Sequence, residues 1–309
     1  MINFRYHVVS LTAVFLALAI GLVVGTAALN GPVADSLKAQ VTALNKDNSN
    51  KRDQVNQYRE ELNRTQEFAT EVAPTLLNGK LAGRRLLLIA LPGAKDYLDQ
   101  IKTMLTLSGA TISATVTVLD RFFDPNNNTE LLDLAEKGSQ PTIPIANLPL
   151  NSDAVETSSA LLALALQQHA PEVAKNDLTA VLTAYAERGY LSVDKNPLPG
   201  AEATVILAGP PASDKDAAKK AQSAVTLATQ FAKAKPLVVS GNGVGDGNLV
   251  AQIRQDPTLV QKISTVDNGT TSQGQVATVL AVAERVVQGR TGQYGVSAGA
   301  TSQVPKAAA

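Results

Sequence analysis

The 309-residue sequence has no cysteine, no tryptophan, two methionines, two histidines and only 4% aromatic residues. Without cysteine there are no disulfides, no thiolate metal sites and no thiol nucleophiles. Two histidines cannot build a multi-histidine metal centre within one chain. Charge of one sign is missing too: 27 basic residues balance 27 acidic ones. Nucleic-acid surfaces concentrate Lys and Arg, so none is expected as a partner. No nucleophile–base pair shows recognisable spacing. The expectation is a non-enzymatic protein with no catalytic, cofactor-binding or metal residue. What the chain has is apolar material, 45% of it hydrophobic, ample for a core.

No charge occurs between Arg5 and Asp35, and Val8 to Ala28 is interrupted only by Ser10, Thr12 and Thr26 among its polar residues. A helix of that run is roughly 31 Å long, matching a hydrocarbon core of about 30 Å. Eleven of its residues are Val, Leu, Ile or Phe, together favouring insertion by about 3–6 kcal/mol. A cleaved signal peptide is the competing reading, because Thr26-Ala27-Ala28 resembles a small-residue cleavage site. Signal cores run about 7–15 residues, so the length favours a retained anchor. Arg5 before the helix and Lys38 after it orient the chain with its bulk outside the cytoplasm, and Phe4 and Tyr6 suit the interfacial belt. Ala13, Ala17, Gly21 and Gly25 recur every four residues. Such a small-residue stripe lets two membrane helices approach closely, although small residues also collect in membrane helices by chance.

After Gly31-Pro32 the chain turns polar and helical. Leu37, Val41, Leu44, Asn48, Lys51, Val55, Tyr58, Leu62, Thr65, Ala69, Val72 and Leu76 recur in alternating steps of four and three, a heptad register. Val41, Asn48, Val55, Leu62 and Ala69 take the a positions; Leu37, Leu44, Tyr58 and Val72 are d positions. An Asn at a and β-branched residues at a with Leu at d favour a parallel dimer. Lys51 and Thr65 at d weaken it, and an amphipathic helix folded onto its own domain is the alternative. About 37 residues of such helix span roughly 55 Å. Pro74 and the stretch from Asn78 to Gly83 are expected to end this stalk.

Beyond it, short apolar runs alternate with helical stretches. Leu86–Leu91, Thr111–Leu119, Thr204–Gly209, Pro236–Gly241 and Lys262–Asp267 read as strands buried on both faces. Helices are expected near Tyr97–Leu107, Asp153–His169, Asn176–Arg188, Asp214–Ala234, Leu249–Gln255 and Gln273–Val287. This alternation predicts a mostly parallel, layered (Rossmann/flavodoxin-like) α/β domain. The Gly-, Ser- and Ala-rich residues from 289 on are expected to be disordered. The expected organisation is a transmembrane anchor over 1–30, a coiled-coil stalk over 31–77, an extracytoplasmic domain over 78–288 and a tail over 289–309.

A few residues invite chemistry. The loop Gly241-Asn242-Gly243-Val244-Gly245-Asp246-Gly247 follows a strand, where backbone amides can meet a phosphate. Its spacing fits no nucleotide motif, and a flexible connection accounts for it better. Asp267-Asn268 lies where open α/β sheets bind ligands, yet an Asx turn capping the next helix explains it better. His169 suits a helix C-terminus, His7 the membrane interface, and Met104 a core gap.

Phe4-Arg5-Tyr6-His7-Val8-Val9-Ser10-Leu11, continuing Ala13-Val14-Phe15-Leu16-Ala17-Leu18-Ala19, resembles the MctB family of actinobacterial envelope proteins. So does Ser264-Thr265-Val266-Asp267-Asn268 with Gly274-Gln275-Val276-Ala277-Thr278-Val279-Leu280. The resemblance implies copper transport and homeostasis, with association with the outer membrane. It also implies an alternative: SteB-like members act in cell division with a SteA-like partner and peptidoglycan hydrolases. The residues themselves argue against resident copper, since Cu(I) prefers Cys and Met and Cu(II) prefers imidazole. An outer-membrane pore is equally hard to build, needing at least about eight alternating strands and aromatic girdles.

Overall fold

The computed structural model describes residues 4–138, 140–143, 148–149, 153–167, 173–194 and 196–306, with the backbone alone over 28–33. The chain divides into two compact units, one ending at Thr65 and the other beginning at Gln66. Helix α1 (Phe4–Leu77) contributes to both. Up to Thr65 its described side chains are almost all exposed.

Within the second unit the last turns of α1 change role. Ala73 and Leu77 are fully buried and join a core with Leu81, Leu86 and Leu88, and Ala69 is buried one turn earlier. The heptad alternation gives way to steps of four, so Ala69 faces its own domain, while Leu76 remains exposed. Ala69, an a position by the spacing, is therefore taken by its own domain. The helix ends at Leu77, where the Asn78–Gly83 stretch begins, and not at Pro74. Pro74 sits in the last turns, where a proline removes a single backbone bond, and the Asn78 amide still donates to the Pro74 carbonyl at 3.1 Å. The chain leaves the helix at Gly79, whose φ of +72° is the left-handed conformation that ends many helices.

Seven strands form one sheet: β1 (Arg85–Ala90), β2 (Thr111–Val118), β3 (Leu191–Val193), β4 (Ala203–Leu207), β5 (Leu237–Ser240), β6 (Ile263–Val266) and β7 (Gln293–Tyr294). Their order is β3-β2-β1-β4-β5-β6-β7, and every pair is parallel except β2 with β3. Between them run α2 (Leu98–Leu107), α3 (Asn128–Lys137), α4 (Ala154–Gln167), α5 (Lys175–Glu187), α6 (Ala217–Ala232), α7 (Leu249–Gln255) and α8 (Ser272–Ala283). Alternate strand residues feed two cores. Leu87, Ile89, Ile206 and Val239 pack with the helices α3 to α7. Leu86, Leu88, Val205 and Val238 pack with α2, α8 and the end of α1. This double burial explains why the strands read as unbroken apolar runs.

Further features depart from the sequence reading, among them helix α3, which was not expected. The antiparallel edge strand β3 is only three residues long and escaped it. The segment after Gly289, expected to be disordered, supplies β7. It pairs with β6, and the Thr301 amide bonds the Gln293 carbonyl at 2.7 Å. Its composition is poor in apolar residues, but side chains from the rest of the domain hold it.

Candidate functional site

The anchor candidate is Phe4–Ala27, 24 residues with mean hydropathy 2.6 and none of that window buried. Its polar cost is small because hydroxyls bond back along the helix: Thr12 to the Val8 carbonyl and Thr26 to the Leu22 carbonyl, each at 2.8 Å. That satisfies groups that hydrocarbon could not. Ala17, Gly21 and Gly25 fall on one face, and a Cβ at either glycine would meet nothing within 4 Å. His7 is exposed near the start of this helix.

The stalk positions Leu37, Val41, Leu44, Val55, Tyr58 and Leu62 are all 47–70% exposed. Asn48 lies on the same helix between them. Lys51, the charged residue in this stripe, pairs with Asp47 one turn back at 2.7 Å. That bond and charge hold the Lys51 ammonium above its ordinary pKa.

In the domain, chemistry would be expected at the carboxyl ends of the strands, where the strand order reverses between β1 and β4. A cleft of about 240 Å³ lies there, lined by Leu91, Phe123, Pro210, Pro211, Asp120 and Lys220, among others. It falls below the roughly 300–1,000 Å³ of ordinary ligand sites. Its base is closed by backbone: a Cβ on Gly209 would lie 1.9 Å from the Pro92 carbonyl oxygen, and one on Gly93 would lie 2.7 Å from the Pro210 ring. On the opposite side Tyr97 donates its hydroxyl to the Ala208 carbonyl at 2.7 Å. Burial pushes that phenol far above its ordinary pKa. Lys220 is engaged by Asp214, which keeps the lysine charged and lowers the carboxyl.

The glycine loop and Asp267-Asn268 come together, but in a structural arrangement. Gly243 donates its amide to the Asp267 carbonyl and Gly269 donates to the Gly241 carbonyl, both at 2.7 Å. The loop is thereby pinned rather than flexible, and those two amides are spent internally. Asp267 does not cap α8; Thr271 does, accepting from the Gly274 amide at 3.1 Å. Asp267 is instead a buried clamp. Arg254 donates to its Oδ2 at 2.8 Å, and the Val296 amide donates to its Oδ1 at 2.9 Å. The Ser297 amide reaches both oxygens at 3.2 Å. Arg254 also reaches Thr265 Oγ1 at 2.9 Å and the Tyr294 carbonyl at 2.7 Å. Arg254 and the tail contacts are what sequence reasoning missed, since their partners lie 11 to 44 residues away along the chain. A second clamp joins Glu284 to the Tyr294 hydroxyl and to Arg290.

Met104 is buried in the core of α2, and His169 lies outside the described residues. Among the described residues no three His, Asp or Glu side chains gather as a metal site.

These features carry no assignment alone; comparison supplies one. A family described as "Copper transport outer membrane protein, MctB" matches residues 1–305. A protein of Mycobacterium tuberculosis named "Copper transporter MctB" is 28% identical over 98% of both chains. The protein of that name in Mycobacterium leprae is also 28% identical, again over 98% of each. With the match running over residues 1–305, this chain belongs to the MctB family.

Proposed function

We propose that the protein works in copper transport and homeostasis as a membrane-anchored, non-enzymatic component of the cell envelope. The helix Phe4–Ala27 holds it in the cytoplasmic membrane with the domain outside the cytoplasm. Residues 31–65 pair with a second chain as a coiled coil. The domain is doubly wound in the Rossmann/flavodoxin manner, a reading supported by its strand order and by cores on both faces. The observation that carries the proposal is the family match over residues 1–305.

Copper is cargo of the system rather than a resident of this chain. Soft donors are almost absent, and Met104 points into a core; Cu(I) and Cu(II) call for thiolate, thioether or imidazole ligands. The protein therefore holds or assembles a path whose ligands come from another component. The test is a deletion strain grown on graded copper, complemented by the full chain or by one lacking residues 4–27. Copper sensitivity rescued only by the anchored chain is expected. Unchanged copper tolerance together with unseparated cells would overturn it in favour of the SteB-like division role.

A further inference from the structure

We infer that the exposed stripe on residues 37–62 receives a second copy of this chain, aligned parallel and in register by Asp47 and Arg52. This rests on the anchored-dimer reading above and adds what fixes its orientation. With Val41, Asn48, Val55 and Leu62 at a, the flanking e positions are Lys38, Asn45, Arg52 and Arg59. The flanking g positions are Gln40, Asp47, Gln54 and Glu61. One edge of the stripe is thus basic or neutral and the other acidic or neutral.

Orientation decides which edges meet. In a parallel pair each g residue faces the e residue five positions later on the partner helix. Asp47 then meets Arg52 twice, once from each chain, and no like charges face one another. In an antiparallel pair matched over the same span, e edges meet e edges and g edges meet g edges. Lys38 then faces Arg59 twice, and no attractive pair forms. The charge pattern therefore selects the parallel arrangement.

The centre of the stripe fits the same reading. Lys51 occupies a d position, where a free ammonium would be costly in a seam. Its own Asp47 lies 2.7 Å away, so the lysine enters the interface already neutralised. Asp47, Asn48, Lys51 and Arg52 form a polar belt between two apolar blocks, Leu37–Leu44 and Val55–Leu62. A shift by one heptad would place the belt against apolar layers, which penalises every other register.

The chain's lack of cysteine makes the test direct. Single cysteines are introduced at Val41, Val55 or Leu62, with Glu60→Cys as an outward-facing control, in full-length protein solubilised in detergent. Val41→Cys and Leu62→Cys should each crosslink to itself. Crosslinking only when those two variants are mixed would mean an antiparallel pair and overturn the inference. Next, Asp47→Arg and Arg52→Asp chains, each carrying Val55→Cys and different tags, are co-expressed. Each repels itself and attracts the other, so mixed dimers should exceed random pairing by roughly threefold, the scale of exposed ion pairs. Random pairing would overturn the role of Asp47 and Arg52 while leaving the dimer intact. Crosslinking at no seam position, or equally at Glu60→Cys, would overturn the dimer itself.

Discussion

Removing the Asp267 carboxylate should loosen the carboxyl-terminal end of the domain more than any other single side-chain truncation there. Its side chain is 0% exposed and that of Arg254 is 6% exposed, so Asp267→Ala leaves a guanidinium charge uncompensated away from water. Breaking a buried pair from one side costs about 3–5 kcal/mol. The Val296 and Ser297 amides also lose their acceptor, at about 1–3 kcal/mol each if they stay dry. Because the tail can open to water, the two losses overlap and a total near 3–5 kcal/mol is expected. For a unit of this size that lowers the melting temperature by roughly 6–20 °C. Circular dichroism of the full-length protein in detergent measures the melt, and hydrogen exchange at the amides of 293–302 locates the opening. Arg254→Met combined with Asp267→Leu removes both charges and should cost less than the sum of the single variants. Equal melting of wild type and Asp267→Ala, or unchanged exchange at Val296 and Ser297, would refute the clamp.

Three further outcomes follow from the same packing. Burial raises the pKa of Tyr97, Tyr185 and Tyr294 in the folded state. Their contribution is complete below the unfolded value of 10.0 and is lost as pH rises beyond it. An alkaline ultraviolet titration should therefore show these three ionising only together with unfolding, and gradual ionisation in a folded chain would contradict that. Gly274→Ala should destabilise the domain by about 1–3 kcal/mol, since its Cβ would lie 1.9 Å from the Asn268 carbonyl oxygen; an unchanged melt would show that α8 can retreat. Gly21→Ile should weaken association of the membrane helices severalfold in a two-hybrid reporter if the small-residue stripe is a contact face, whereas an unchanged signal removes that stripe from the interface.

The central strands were legible because burial on both faces writes itself as continuous apolar runs. Leu86–Ala90 and Thr204–Leu207 stand in the sheet within a residue or two of where the sequence puts them. Most of the domain's helices were legible from the alternation, and α7 falls on the predicted residues, but α3 was not foreseen. What stayed hidden was held from far away. Gln293–Tyr294 looks like a polar tail, and pairing with β6 together with bonds from Arg254, Glu284 and the Gln293 side chain holds it as a strand. The three residues of β3 are too short for an alternation to register. Ala69 illustrates the reverse problem. A small residue serves equally in a helix–helix seam and against a domain core, and nothing local distinguishes them. The Asp267-Asn268 pair was noticed for the right reason, its place at a strand end, but an acid at a strand end looks the same whether it meets a ligand or an arginine.

The same residues bear on where copper chemistry can lie. In open α/β sheets the carboxyl ends of the strands are the usual place for a ligand because loops and helix starts leave polar groups unpaired there. Here those groups turn inward. Tyr97 closes the ends of β4 and β5, Gly93 and Gly209 bring two loops into backbone contact, and Asp267 is filled by Arg254 and the tail. A ligand entering this end would have to displace bonds the domain uses to hold itself together. Exposed large apolar side chains are concentrated instead on the helix before Thr65, with Leu37, Leu44 and Tyr58 each at least 60% exposed. A chain poor in metal donors, with most polar groups at its strand ends engaged internally, fits the proposal that it serves copper handling through what it assembles. Transplanting the domain onto an unrelated anchor and stalk should accordingly abolish copper tolerance even if the domain folds and reaches the envelope. Full tolerance from such a chimaera would place the activity back in the sheet.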